Sequence, residues 1–305
     1  MKSKPFTVTH VYDLLIRAVY EYRFLTCVQA TTLLYKPGML TTVRSRLKTL
    51  ADNGYLLPVQ LPTVRGQSPL VYTLARKGIT YLASCGMEAR TRFRPIEEKE
   101  KSYAFLMHSL KTTDVLIAAS SLPTLVPGIR VHEIRHEHEL NHTPLIVPRE
   151  QKGVQGIPGK GTITIIPDAW LDIRVSRENK KVRRFTIWLE LDRGTIEAKQ
   201  FKRKLRGIGE AVSSGVYEKQ FQAKSVQVAF ATTAGDKRVQ QMQTWTREIS
   251  SSPSLKENSI LSEMVLFTSL PQIIDPHSLF CTPVWHTAFQ EKELVALLGG
   301  LLVQK

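Results

Sequence analysis

Cysteine is scarce in this chain, acids are outnumbered, and no long apolar run occurs. Each shortage removes a class of protein. The three cysteines, Cys27, Cys85 and Cys281, are far apart and odd in number. That argues against a disulfide framework or a zinc site and fits reduced, buried cysteines of a cytoplasmic protein. No run of about 18 apolar residues is present, so no helix is expected to span a membrane. The opening MKSKPFTVTHVYDLL has neither the apolar core nor the small-residue cleavage site of a secretory signal. Gly153 to Gly161, GVQGIPGKG, lacks the Gly-Lys-Ser/Thr ending of a phosphate-binding loop and reads as a plain flexible loop.

The acid shortage is uneven. Lys and Arg number 42 against 27 Asp and Glu over 305 residues, a net charge of +15. Residues 1–94 hold 14 Lys and Arg against 4 Asp and Glu, a net of +10. A polyanion is the natural partner of so basic a segment.

That segment carries a recognisable pattern. Helices are expected near Thr9–Tyr22 and Thr26–Tyr35, the second capped by Thr26 with Gln29 at the capping-box position. The next helix, LTTVRSRLKTLAD, repeats Val43, Leu47 and Leu50 at i, i+4 and i+7 for a buried side. Thr41, Thr42, Arg44, Ser45, Arg46 and Lys48 supply donors on the rest of it. Asn53-Gly54 stops it. Strands near Leu56–Leu61 and Leu70–Leu74 flank a turn with Arg65 near its tip, and a helix over Arg76–Ser84 closes the unit. This is a winged helix-turn-helix over residues 1–86. Its third helix suits the major groove, and Arg65 on the wing suits a phosphate or the minor groove.

Residues 87–102 read as a charged linker or a solvated connecting helix. Residues 103–305 then read as an α/β domain with alternating strands and helices: an amphipathic helix over Tyr103–Ser120, a strand over Ile129–Leu140, a strand pair or bent strand in ITIIPDAWLDIRV, and a strand of continuous apolar character in VRRFTIWLELD. A basic helix over Thr195–Tyr217, capped by Thr195, follows. Beyond it come the strand SVQVAFATT, a helix over Gly235–Ile249, the strand MVLFTSL and a terminal helix over Glu291–Val303.

Three acids carry the chemical interest: Asp168, Glu190 and Asp192. Asp172 is a fourth candidate, on the face of Asp168. Side chains alternate along a strand, so Glu190 and Asp192 share one face. Beside Asp168 they could hold Mg²⁺ or Mn²⁺ through oxygen ligands for phosphodiester cleavage. The order Pro167-Asp168 and then Glu190-Leu191-Asp192 resembles the PD-(D/E)XK nuclease core, with a restriction-endonuclease-like mixed sheet as the implied fold. It departs from that pattern where Asp192 stands in place of the lysine; Lys199 or Lys202 on the next helix is the candidate replacement. The plain alternative is a scaffold in which the acids pair with Arg174, Arg193 or Arg203. Lys199, Lys202, Arg203, Lys204 and Arg206 form a cationic strip on the basic helix, either a second DNA contact or a solvated face. In HEIRHEHELNH, strand alternation puts His132, His136 and His138 on one side, with His142 beyond. Two or three of them could ligate zinc or manganese, but the run lacks the spacing of a metal motif and an edge strand explains it without a metal.

The order of parts resembles the replication-relaxation family of plasmids and integrative elements. The resemblance runs from about Val8 to Phe267, through TTVRSRLKTLADNGYL, VYTLARKGITYLA, HSLKTTDVLIA, PDA at 167–169 and ELDRGT at 190–195. It implies a sequence-specific double-stranded DNA-binding protein acting in plasmid replication, relaxation or mobilisation. It also implies that ELD is the family's own pattern rather than a lost lysine. Two alternatives follow from the second domain: a metal-dependent nuclease or nickase, or an adaptor that brings a relaxase, transposase or replication protein to a DNA site. DNA binding requires no cofactor; Mg or Mn enters only with cleavage. The expected partners are DNA, those proteins and a second copy of the chain, with no membrane.

Overall fold

The computed structural model describes residues 6–61, 69–87, 94–152, 158–176, 181–250, 264–289 and 293–299. The chain forms two compact units, residues 1–120 and 121–305. It is a mixed α/β protein.

The first unit begins with α1 (His10–Tyr22), β1 (Leu25–Thr26), α2 (Cys27–Leu34) and α3 (Leu40–Asp52). The hairpin β2 (Leu56–Gln60) and β3 (Leu70–Leu74) follows, then α4 (Arg76–Ser84), α5 (Pro95–Lys99) and α6 (Tyr103–Leu125). The three strands pair antiparallel in the order β1-β3-β2. The capping box forms as expected: Thr26 Oγ1 accepts from Gln29 N at 3.1 Å, and Gln29 Oε1 accepts from Thr26 N at 3.0 Å. Gly54 ends α3 at φ 77°, a left-handed conformation that favours glycine. There the amides of Gly54 and Tyr55 donate back to the carbonyls of Ala51 and Leu50, satisfying two helix-end acceptors.

The segments beyond α4 are tied to this unit. Leu106 and Leu110 of α6 pack with Phe24, Val59, Leu61 and Val71. Gln29 Nε2 donates to the carbonyl of Leu110 and to Asp114. Within the expected linker, Glu98 of α5 is buried and accepts two bonds of 2.7 Å from the Arg23 guanidinium. That guanidinium also lies over the rings of Phe24 and Phe105. The helix expected to open the second domain therefore packs mainly within the first unit. Charge composition suggested a solvated linker because it cannot show that Glu98 has an arginine waiting for it.

The second unit contains β4 (Ile129–His136), α7 (Glu137–Leu140), β5 (Leu145–Lys152), β6 (Pro158–Ile165), β7 (Ala169–Ser176), β8 (Val182–Asp192), α8 (Ala198–Ser213) and α9 (Val216–Phe221). It continues with β9 (Gln227–Thr232), α10 (Asp236–Ser250), β10 (Val265–Ser269), α11 (Pro276–Cys281), β11 (Trp285–Thr287) and β12 (Leu294–Val295). Seven strands form one mixed sheet in the order β12-β11-β10-β9-β8-β7-β4. β4 and β8 each run antiparallel to β7, whereas β9 runs parallel to β8 and β10 parallel to β9. The apolar run of β8 is interior, with Phe185 to Asp192 all buried. Phe201, Leu205 and Ile208 of α8 join Trp170, Trp188, Phe230 and Phe267 in the core.

Four expectations change. The strand over 129–140 stops at His136, because α7 begins at Glu137. ITIIPDAWLDIRV is two strands in different sheets: β6 pairs with β5, and β7 joins the large sheet. Of the loop expected over 153–161, residues 153–157 lie outside the described residues and 158–161 belong to β6. The tail expected as a helix has the short strand β12 at 294–295, paired with β11; residues 300–303 lie outside the described residues. Cys281 is buried, Cys27 half-buried and Cys85 exposed, and all three are free thiols. Among the described residues no helix is long and apolar enough to cross a membrane.

Candidate functional site

Two sets of residues merit consideration, one in each unit. In the first, α3 buries Val43, Leu47 and Leu50 completely. The same helical period leaves Thr41, Thr42, Arg44, Ser45 and Lys48 exposed. Arg46 is half-buried, with its guanidinium 5.3 Å from the centre of the Tyr35 ring. Lys48 pairs with Asp52 at 2.6 Å in the open. Apart from that pair, the exposed face offers donors and positive charge. Arg65 lies outside the described residues.

In the second unit, antiparallel register brings the acids together. Ala169 stands opposite Leu189, so Asp168 and Glu190 fall opposite each other one step beyond the ladder. Both are buried, with Glu190 only 1% exposed. Asp168 Oδ2 accepts from the Leu191 amide at 2.7 Å, and Glu190 Oε1 accepts from Trp188 Nε1 at 2.7 Å. The Lys204 amine of α8 contacts Glu190 Oε2 and lies 4.0 Å from Asp168 Oδ1. Burial pushes the Glu190 carboxyl up to about 8, against the pull of the Lys204 ammonium; the charge of Asp168 acts in the same direction as burial. Burial works against the Lys204 charge, but Asp168 and Glu190 outweigh it and hold the amine protonated above its usual value.

Asp192 shares a face with Glu190 yet belongs to a different set of bonds. Arg238 of α10 grips it with both arms, Nε to Oδ2 at 2.8 Å and Nη2 to Oδ1 at 3.1 Å. Gly194 N and Thr232 Oγ1 also donate to Oδ2, at 2.9 and 3.0 Å. Burial alone would raise Asp192, but Arg238 and these donors hold its carboxyl below the usual range. Gly194 is left-handed at φ 81°, and a Cβ there would sit 2.7 Å from that of Ala234. The Glu-Leu-Asp-Arg-Gly-Thr run is therefore built to bring β8 against β9 and α10.

The trio Asp168, Glu190 and Asp192 is thus divided rather than converged. Among the described residues no group of three or more His, Cys, Asp or Glu is arranged to hold a metal ion. Asp172 pairs with Arg184 at 3.0 Å and with Arg174 at 3.7 Å. Thr195 does not cap α8; the cap position is Glu197, and the helix ends at Ser213 before a separate α9. Of the histidines, His132 and His142 are exposed, while His136 is buried with its Nδ1 3.1 Å from Nδ1 of His138. The end of β4 at His136 breaks the alternation that would have aligned them.

The cationic strip also divides. Lys199, Arg203 and Arg206 are exposed, but Lys202 pairs with Glu248 at 2.5 Å and Lys204 turns inward. Lys199 is exposed and Lys202 is taken by Glu248; Lys204 is the lysine that meets the acids of the cluster. A signal for it was present: Lys204 is three residues after Phe201 and four before Ile208, on the apolar stripe of α8. Arg238 likewise precedes buried Met242 by one turn.

No characterised protein and no solved structure matches the chain. The profile of the replication-relaxation family matches residues 16–225, from the buried half of α1 through Asp168, Glu190, Asp192 and Lys204 to the residues beyond α9. The chain therefore belongs to the replication-relaxation family.

Proposed function

We propose that this protein binds double-stranded DNA in the replication or relaxation of a plasmid or other mobile element. The first unit acts as a winged helix, with α3 in the major groove and the β2–β3 hairpin, carrying Arg65, as the wing. The observation behind this reading is the division of α3: three apolar residues wholly buried, and Thr41, Thr42, Arg44, Ser45 and Lys48 exposed on a unit rich in positive charge. Family membership supplies the process. The exposed members of the α8 strip, Lys199, Arg203 and Arg206, are a second candidate DNA contact. The test uses duplexes that the wild-type chain selects from a random-sequence pool. Arg44→Ala combined with Arg46→Ala should weaken their binding at least about tenfold, each good contact being worth roughly 1–3 kcal/mol. Unchanged binding by the folded double variant would sink the assignment.

Metal-dependent cleavage by the second unit is the other reading with an observation in its favour. Asp168 and Glu190 do meet beside a lysine amine, at the end of a sheet with three antiparallel strands and a fourth parallel to the third. Cleavage would have to depend on Mg²⁺ or Mn²⁺ and vanish in Asp168→Ala and Glu190→Ala. A chain that leaves plasmid DNA intact with either metal would remove this reading.

A further inference from the structure

We propose that Lys204 is a built-in counter-ion standing where a divalent cation would sit, so that the acid pair of the second unit holds together without metal. This goes beyond the DNA-binding reading, does not depend on it, and runs against the cleavage reading.

The oxygen accounting carries the inference. Mg²⁺ and Mn²⁺ need carboxylate oxygens that can approach a metal directly, at about 2.0–2.1 Å for Mg²⁺. Of the four oxygens on Asp168 and Glu190, two accept hydrogen bonds, from the Leu191 amide and the Trp188 indole, and a third, Glu190 Oε2, lies against the Lys204 amine. The fourth, Asp168 Oδ1, faces that same amine at 4.0 Å. The third expected ligand, Asp192, takes four bonds from Arg238, Gly194 and Thr232. A divalent ion entering beside Lys204 would meet a like charge within a few ångströms in a poorly hydrated site, where repulsion is strong. It would therefore have to displace the amine.

Lys204 is suited to stay. Its stem lies along α8 with 31% of the side chain exposed, while its amine is drawn in between Asp168 and Glu190, an arrangement an aliphatic stem readily permits. The ammonium pins α8 to the ends of β7 and β8. It does by an ion pair what a metal would do by ligation, and it offers no activated water.

Mn²⁺ itself is the probe, with free ion followed by electron paramagnetic resonance on metal-stripped full-length protein and thermal unfolding read in parallel. The wild type should bind no Mn²⁺ at the cluster and should not be stabilised by it. Lys204→Ala should melt at lower temperature and gain a Mn²⁺ site at least about tenfold tighter than any in the wild type, since such affinity is tuned by ligand charge. Adding Glu190→Gln should abolish that gain. One Mn²⁺ bound per wild-type chain and lost in Asp168→Asn would overturn the proposal. So would a folded Lys204→Ala variant that gains no site. If Lys204→Ala does not fold, comparison of the wild type with Asp168→Asn still decides: equal Mn²⁺ response supports the counter-ion, and loss in the variant refutes it.

Discussion

α3 and α8 are both basic helices with an apolar stripe, and they use their cations in opposite ways. On α3 the stripe is purely apolar, so Arg44 and Lys48 face water. On α8 one cation, Lys204, lies on the stripe itself and meets buried carboxylates, and Lys202 is taken by Glu248. Counting charges treats these helices alike. Position relative to the stripe separates cations left for a partner from cations used by the fold. The same division holds for the acids, because Asp192 is gripped by Arg238 while Glu190 meets Lys204.

The largest effect should come from breaking a charge pair inside the fold. Arg238→Ala leaves Asp192 buried without its main partner, and such losses run to about 3–5 kcal/mol. Urea unfolding followed by circular dichroism should show that loss for the second unit, whereas Arg44→Ala should stay within about 0.5 kcal/mol, as exposed substitutions do. Equal stability of the two variants would erase the distinction. Salt offers a second contrast: the Asp192–Arg238 pair is shielded from solvent and should respond little to it.

DNA binding should respond in the reverse order. The Arg44→Ala and Arg46→Ala double variant should lose at least about tenfold in affinity, and the salt dependence of binding should become shallower as phosphate contacts are removed. Arg238→Ala, once corrected for the folded fraction, should bind as the wild type does. A gel-shift titration at several salt concentrations reads both.

How far these assignments could be read from the chain depends on distance along it. The capping box at Thr26–Gln29, the stop at Gly54 and the buried face of α3 depend on neighbours within a few residues, and all were legible. The interior position of β8 was too, through its unbroken apolar run. The fate of Asp192 was not, because its partner lies 46 residues away on α10. Lys204 was half legible: its position on the stripe could be read, but not the acids 14 and 36 residues earlier that meet it there. The buried role of Glu98 was hidden similarly, since Arg23 is 75 residues away. Periodicity reveals which face is buried; it does not reveal which buried charges meet.

The acid pair should also give a pH signature that α3 lacks. Glu190 is pushed from 4.5 to about 8, so between those values the folded state holds a proton that the unfolded state has released. Stability should therefore fall as pH rises through that window, by on the order of 1 kcal/mol per pH unit. Glu190→Gln should flatten this limb in urea unfolding at a series of pH values. Asp192 acts with the opposite sign: its carboxyl is depressed below 3.8, so its contribution is present above that value and lost as pH drops through the folded-state value. The two acids thus report in separate windows, and a Glu190→Gln variant with the wild-type slope would mean that Lys204 keeps Glu190 ionised throughout.

The smallest effect tests the open face of α3 from its acidic side. Asp52 pairs with Lys48 across one helical turn, with side chains 58% and 71% exposed. A pair so exposed contributes only about 0.3–0.5 kcal/mol, because water and salt screen it. Asp52→Ala should therefore leave stability nearly unchanged. Its effect on DNA should have the opposite sign from that of the arginine variants. Losing the carboxylate removes a charge that repels phosphate and frees the Lys48 amine, so affinity should rise modestly, most visibly at low salt. A loss of affinity instead would mean that Asp52 positions Lys48 for its contact. No change at any salt concentration would place the DNA away from the last turn of α3.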